Sequence, residues 1–428
     1  MTATVHTAAA VDTPAALDTP ALVLKFDRNP LHHGGLGVIR SLGKLGVPVY
    51  GVQESPWSPA ANSRYLRGGW LWRPRQEQVE RVREGLAQIG RLIGRPAVLI
   101  PTDDAGAIFL AEHGDPLRRR FLFPAPAPEL PRRMANKATL YELCRRLDMP
   151  CPDSVVPTSW AEVAAFVRGH GFPLVAKLTM PWRGVPGVRS TTIVANRPEL
   201  ERIWQACGAR NRLLLQEFVP DAGAGVPVDW FFHGYCDADS VCRPAFTGIK
   251  ELSYPAHAGL TSLGRWMDNP TLRGQAVDLL AKLSYRGAVD LDFRWDARRG
   301  RYLLLDANPR LGAQFRLFRD TAGIDVARAA YLDLTGRPVP TGECVPGRGF
   351  LVENYAPLAA LRALGRRRRR GGETAWFAPD DLAPFGLMCL RMAWRVATRP
   401  FTRDTSARDA AAVAIPAPRY RPGRGARI

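Results

Sequence analysis

No apolar run in this 428-residue chain reaches the ~20 residues that a membrane-spanning helix needs. The first 20 residues are rich in Ala, Thr and Pro and poor in charge. They lack the basic start and apolar core of a secretory signal, so residues 1–20 read as a disordered leader. Patterned cysteine is missing as well. Cys144, Cys151, Cys207, Cys236, Cys242, Cys344 and Cys389 show neither CxxC nor Cys/His spacing. That argues against a disulfide framework and against structural zinc, and it fits reduced thiols in a cytoplasmic protein. There is no internal repeat of solenoid period. No Ser/His/Asp or Cys/His set points to a covalent enzyme intermediate. The glycines at 34, 35, 37 and 43 do not follow G-x-G-x-x-G, and no acid closes the second strand, so tight turn geometry accounts for them without a dinucleotide.

The length is enough for two or three domains with real cores, and 46% apolar residues is ordinary for a globular protein. The net charge of +19 is uneven. From Pro340 to Ile428 there are sixteen Arg and seven acidic residues, which gives that segment +9. Such charge allows contact with polyanions, but a solvated basic surface explains it more simply, and no nucleic-acid partner is expected.

Ala21–Phe26 reads as a buried strand, a glycine turn then opens a helix, and Val47–Val52 is the next strand. Strand, helix, strand in this order implies a right-handed parallel crossover. With a later strand at Ala97–Asp104, residues 21–125 are expected to form an α/β, doubly wound parallel-sheet domain. Pro124–Pro131 reads as a linker, and an α+β region with antiparallel strands follows over 126–340. Residues 341–415 are expected to be a basic helical extension and 416–428 a disordered tail. Within the extension, Pro384–Val396 is an apolar helix with Arg391 and Arg395 one turn apart. It suits docking on the body, or peripheral contact with an anionic membrane surface.

Two late segments carry chemistry. Tyr302–Arg310 is an apolar run ending in Asp306-Ala307-Asn308-Pro309-Arg310, and Val289–Phe293 holds Asp290 and Asp292 on one face with Phe293 opposite. Two acids on one face call for a cation. Carboxylate and amide oxygens suit Mg²⁺, and a guanidinium suits phosphate. Lys177, inside the strand Leu174–Leu178, must project into a polar cleft or be paired, because burying a bare charge is costly.

Taken in order, Asn136-Lys137, Leu174–Lys177, the loop Arg183–Ser190, Gln216–Pro220, Phe246–Lys250, Asp290–Phe293 and Asp306–Arg310 resemble the ATP-grasp superfamily, specifically its carboxylate–amine ligase-like members. The resemblance covers residues from about 21 to 340. It implies a two-lobed fold with antiparallel sheets after the first domain. It places Lys137 and Lys177 on the phosphates of ATP, and makes Gly184, Gly187 and Ser190 part of a mobile lid whose backbone can approach phosphate oxygens. Gln216, Glu217, Phe218 and Val219 become an inter-lobe hinge that reads adenine. Asp229, or else Asp221, would hold the ribose. Asp292, Asp306 and Asn308 would hold two Mg²⁺, with Mn²⁺ able to replace them. Arg310 and Lys250 would flank the transferred phosphoryl group. Glutamate is more usual than aspartate at the first two metal positions, and the shorter side chain requires closer strands or a bridging water.

The reaction implied is ATP-dependent joining of a small-molecule carboxylate and an amine through an acyl phosphate, releasing ADP and phosphate; a homodimer is compatible with it. Other readings are a thiol acceptor, a hydroxyl acceptor in a kinase-like reaction, a biotin-dependent carboxylase subunit without its biotinyl domain, and an inactive nucleotide-binding regulator. His32 and His33 are loop residues beside the first glycines that could contact substrate, and His233 and His257 read as structural.

Overall fold

The computed structural model describes residues 17–208, 212–223, 225–254, 260–355, 372–398 and 419–423. His257, the arginine run 366–370 and most of the two terminal segments lie outside them.

The first domain carries β1 (Ala21–Leu24), α1 (Gly34–Gly43), β2 (Val49–Gln53), β3 (Leu66–Leu71), α2 (Val79–Ile93), β4 (Ala97–Pro101), α3 (Asp104–His113) and β5 (Phe121–Leu122). Its strands run parallel in the order 3-2-1-4-5. Side chains alternate across β1, and each face gets its own cover. Ala21 and Val23 pack with Val38 and Ile39 of α1, whereas Leu22 and Leu24 pack with Leu86 of α2 and Phe109 of α3. This is the doubly wound sheet expected from the sequence.

The glycines do not form the expected turn. Gly34, Gly35 and Gly37 lie within α1, are buried, and none has positive φ. A Cβ on Gly37 would lie 3.0 Å from the Phe315 ring, and one on Gly34 3.4 Å from the Ala313 Cα. Their use is close approach of α1 to the segment that follows Arg310.

After α4 (Leu130–Ala135) and α5 (Lys137–Arg146), a four-stranded antiparallel lobe contains β6 (Ser154–Val155), α6 (Trp160–His170), β7 (Leu174–Leu178), β8 (Thr191–Val194), α7 (Arg197–Cys207) and β9 (Leu213–Glu217). The order is β6-β9-β7-β8. Val163 and Leu200 cover one face by packing on Ala176, Leu178 and Leu215.

A seven-stranded sheet forms the other lobe: β10 (Asp229–Cys236), β11 (Cys242–Tyr254), β12 (Leu260–Trp266), β13 (Gly287–Asp296), β14 (Arg301–Asn308), β15 (Gly349–Leu351) and β16 (Glu373–Thr374), ordered β14-β13-β10-β11-β12-β15-β16. Helix α8 (Pro270–Lys282) and α5 cover one face, on which Leu291 and Phe293 point inward. Helix α9 (Val326–Leu334) and the first domain approach the other, through Phe231, Tyr235 and Phe246. Asp290 and Asp292 therefore share the face turned toward the first domain, as alternation requires.

The segment after residue 340 departs from the expected helical extension. It adds β15 and β16 to the large sheet before α10 (Ala383–Thr398). Phe385, Met388 and Met392 turn α10 onto the body, while Leu390 and Trp394 are 67% and 71% exposed. The expected disordered tail supplies β17 (Arg419–Pro422), which pairs antiparallel with β3. Part of the expected disordered leader is also packed: Leu17 lies on the core and the Thr19 carbonyl accepts a hydrogen bond from Tyr331 Oη at 2.8 Å. Arg40 of α1 is 1% exposed and donates to Asp381 at 2.9 Å, which ties the first domain to this C-terminal segment. Among the described residues no helix is long and apolar enough to cross a membrane.

Candidate active site

Antiparallel pairing sets the acids opposite one another. Asp292 faces Asp306, and Asp290 faces Asn308, across β13 and β14. Directly opposed like charges repel, and here each carboxylate meets a cation. The Lys250 ammonium, from β11, is 2.8 Å from Asp292. Lys137 pairs with Asp306. Asn136 caps α5 by accepting from the backbone N–H of Ala138, so Lys137 is held at the first turn, where it is only 7% exposed. It is not a solvated helix lysine.

The register slips between Asp292 and Phe293, which leaves Leu305 as an extra residue on β14. A bulge of this kind frees a backbone group from the ladder. The Leu305 carbonyl accepts from Lys177 Nζ at 2.8 Å. Lys177 belongs to β7, an interior strand flanked by β9 and β8, so it cannot be an edge lysine facing water. Burial lowers its pKa to about 8, a fall that nearby Asp306 resists.

Arg310 links three segments. It donates to Asp290 at 2.9 Å, lies 3.2 Å from Asp104 at the start of α3, and donates to the Leu311 carbonyl at 3.1 Å. Burial would lower the Arg310 pKa, but Asp104 and Asp290 outweigh it and raise it. Burial pushes the Asp104, Asp290 and Asp292 carboxyls up. It acts the same way on Asp306, yet Lys137 and Lys177 overcome it and hold that carboxyl below its ordinary value. Four cations, Lys137, Lys177, Lys250 and Arg310, thus face four acids. Asp104 was not among the expected site residues. Its signal was the acidic end of β4, since the carboxyl ends of parallel strands are where such sheets place function.

His233 was expected to be structural, and it lies within this cluster. It is fully buried on β10 opposite Asp290, with Nε2 3.3 Å from Asp290 Oδ1. Burial lowers its pKa to about 3, so the ring is neutral. His32 is also lowered to about 3, by burial and by the charges of Lys25 and Arg310.

The donor set suits a hard cation. The Oδ1 atoms of Asp104, Asp290 and Asp292 are buried, with Arg310 3.2 Å from the first, the neutral His233 3.3 Å from the second and Lys250 2.8 Å from the third. Asp292, Asp306 and Asn308 offer oxygen ligands from facing strands, in keeping with Mg²⁺.

The loop with Gly184, Gly187 and Ser190 joins β7 to β8 as a hairpin; these three residues are exposed, and both glycines have positive φ. Gln216, Glu217, Phe218 and Val219 do run between the lobes, but several of their groups are already engaged. Gln216 donates to Ser154 Oγ at 3.0 Å. Glu217 accepts from Arg299 at 2.7 Å, and its N–H donates to the Asp153 carbonyl. The Val219 carbonyl accepts from Arg294 Nε at 2.7 Å. Arg294 also holds both ribose candidates, Asp229 at 2.6 Å and Asp221 at 2.7 Å, and lies over the Phe218 ring. This clamp, built from positions far apart in sequence, was not foreseen.

Solved structures share this fold. An ADP complex of an N5-carboxyaminoimidazole ribonucleotide synthetase superimposes with a TM-score of 0.61 at 9% identity, over 82% of this chain and 85% of that one. The chain has the ATP-grasp fold. A second ADP complex of that synthetase, from Staphylococcus aureus, gives 0.59 at 10% identity over 82% and 88%. The biotin carboxylase domain of 2-oxoglutarate carboxylase from Hydrogenobacter thermophilus, solved with MgADP and bicarbonate, gives 0.54 at 17% over 75% and 71%. In sequence the chain is 26% identical over 248 residues to D-aspartate ligase of Enterococcus faecium, across 54% of this chain and 57% of that protein. It is 21% identical over 267 residues to pyruvate carboxylase of Aspergillus niger, across 57% and 22%. The chain thus spans little more than half of the first relative and less than a quarter of the second. No protein-family model matches it. On this ATP-grasp frame the lysines of α5 and β7, the acids of β13 and β14, and Arg310 line one cleft between the lobes and the first domain.

Proposed function

We propose that the chain is an ADP-forming carboxylate–amine ligase. The observation that carries this reading is the facing quartet Asp290, Asp292, Asp306 and Asn308, ringed by Lys137, Lys177, Lys250 and Arg310 at the end of an ATP-grasp sheet. A nucleotide triphosphate entering the cleft takes over the two phosphate lysines, and Lys137 leaves Asp306. Asp292, Asp306 and Asn308 would hold up to two Mg²⁺, which would neutralise charge on the phosphates. The substrate carboxylate attacks the γ-phosphorus, giving an acyl phosphate and ADP. Arg310, fixed by Asp104 and Asp290, stabilises charge on the group being transferred. The amine then attacks the acyl carbon, forming the C–N bond and releasing phosphate.

D-aspartate ligase is named for joining an amino acid, which favours amino-acid-like substrates for this chain too. In this architecture specificity would sit in loops of the first domain and around Tyr254–Arg265, of which residues 255–259 lie outside those described.

A phosphate-release screen of paired carboxylates and amines with Mg-ATP tests the reading. The expected result is phosphate formation that requires both partners and falls roughly 10²-fold or more in Asp292→Asn and Asp306→Asn. ADP formation with a hydroxyl substrate and no free phosphate would instead identify a kinase. Unchanged ADP release in both variants would remove the metal assignment.

A further inference from the structure

Two thiols of the nucleotide cleft have no part in the proposed chemistry. Cys144 lies in the last turn of α5, and Cys151 in the loop that leads to β6. Seven positions apart, they sit together in the wall of one pocket, where each thiol shifts the pKa of the other. Their backbone is pinned on both sides. Met149 N–H donates to the Cys144 carbonyl at 2.9 Å, closing the helix, and Leu304 N–H of β14 donates to the Pro150 carbonyl at 2.8 Å. Both cysteines line a small pocket with Lys137, Lys177, Gln216 and Leu305, the lysines being the phosphate ligands proposed above. Cys144 is buried, and Cys151 is partly open to solvent.

The environment distinguishes them. Its neighbour Cys151, together with burial, raises the pKa of Cys144. Cys144 in turn lowers the pKa of Cys151; the positive charges of Arg145 and Arg301 act in the same direction against burial and Asp153. An accessible thiolate with a second thiol in contact is the arrangement in which oxidation proceeds to a disulfide. The contrasting pair is Cys236 and Cys242, opposed across β10 and β11 but both buried.

We propose that Cys144 and Cys151 form a dithiol/disulfide modification site in the wall of the nucleotide pocket, oxidised by peroxides and reduced by dithiols. Its effect on nucleotide binding rests on the ATP reading above; the covalent change does not. The Cys151 thiolate attacks a peroxide, forming an S–O bond and breaking O–O, and the released alkoxide or hydroxide takes up a proton. Cys144 loses its proton and attacks the sulfur of the resulting sulfenic acid. The S–S bond forms, S–O breaks, and water leaves. Two thiols give up two electrons, and the peroxide receives them. The new bond draws the Cys151 loop onto α5 and narrows the pocket beside Lys137 and Lys177.

Peroxide treatment of the full chain, followed by intact mass and non-reducing peptide mapping, tests the site. The expected product is about 2 Da lighter, with the link mapped to 144–151 and reversed by dithiothreitol. Cys144→Ser should stop at an oxidised Cys151 without the link. Titration of each sample with Mg-ATP before and after peroxide should show an affinity loss of about tenfold or more in the native protein that dithiothreitol restores. A link at 236–242 alone, or no link, overturns the proposal. So does a 144–151 link with unchanged Mg-ATP affinity. Failure of the untreated protein to bind Mg-ATP would count against the ligase reading instead, and the thiol site would then stand or fall on the peptide map.

Discussion

Asp104 and Arg310 face each other at 3.2 Å across the boundary between the first domain and the large sheet. Arg310 also grips Asp290, so it is the middle of a chain of contacts that runs from Asp104 to Asp290. A guanidinium meant for a transient phosphoryl group is thereby held before substrate arrives. Asp104→Ala should lower kcat by on the order of tenfold to a hundredfold while changing the KM for ATP little, since misplacing a catalytic group costs rate more than binding. Steady-state kinetics separates the two, and an equal rise in KM would mean that Asp104 contacts nucleotide rather than positioning Arg310.

The loop after Arg310 passes directly over His233. A Cβ on Gly312 would overlap the imidazole, and the ring is fully buried with no room to yield. Gly312→Ala should cost about 1–3 kcal/mol of stability, the usual range for overpacking. Adding His233→Ala removes the obstacle, so the double variant should be more stable than the sum of the single effects predicts. Urea denaturation of all four proteins measures the coupling, and strict additivity would refute the contact.

Arg294 gathers Val219, Asp221 and Asp229. Replacing it with Met leaves Asp229 without its partner beside a buried strand. The expected loss is about 3 kcal/mol, as for other largely buried pairs broken on one side, together with a higher KM for ATP because the inter-lobe segment loses its tether. Arg294→Lys should restore only part of either, as a single ammonium cannot reproduce three directed bonds. A stability equal to that of the native protein would show the clamp to be dispensable.

Acid should weaken the protein through its buried histidines. His33 is 4% exposed, and burial lowers its pKa from 6.5 to about 3. The folded state therefore prefers the neutral ring. The stability it contributes is present above pH 6.5 and is lost as pH falls toward 3, at about 1.4 kcal/mol per pH unit. The buried carboxyls of Asp290 and Asp292, held above their ordinary value, act in the opposite sense at lower pH. The contrast with His33→Gln isolates the histidine, and its unfolding free energy should fall less steeply between pH 6.5 and 5. Parallel slopes would place the loss elsewhere.

Much of the site was legible because it depends on short-range pattern. Alternation put Asp290 and Asp292 on one face, and a lysine inside an apolar strand required a cleft, which is where Lys177 lies. The parts that escaped depend on non-local register. The bulge at Leu305 appears only once β13 and β14 are paired. Asp104 is about two hundred residues from Arg310, and the Arg294 clamp reaches back more than seventy positions to Asp221. The glycines of α1 were legible as special, but their reason is contact with residues 313–315, which no local rule contains. β17 escaped because a short, polar, proline-bearing strand becomes a strand only when an edge receives it.

That last strand also orders events in time. The first domain is made early, yet its sheet is completed by residues 419–422. Until residues 419–422 have been made, β3 presents a row of unsatisfied amides and carbonyls to any other chain, a template for wrong pairing. A ribosome-bound intermediate that stops short of β17 carries an open docking edge on its first domain, and it takes a strand from far downstream to close that sheet to strangers.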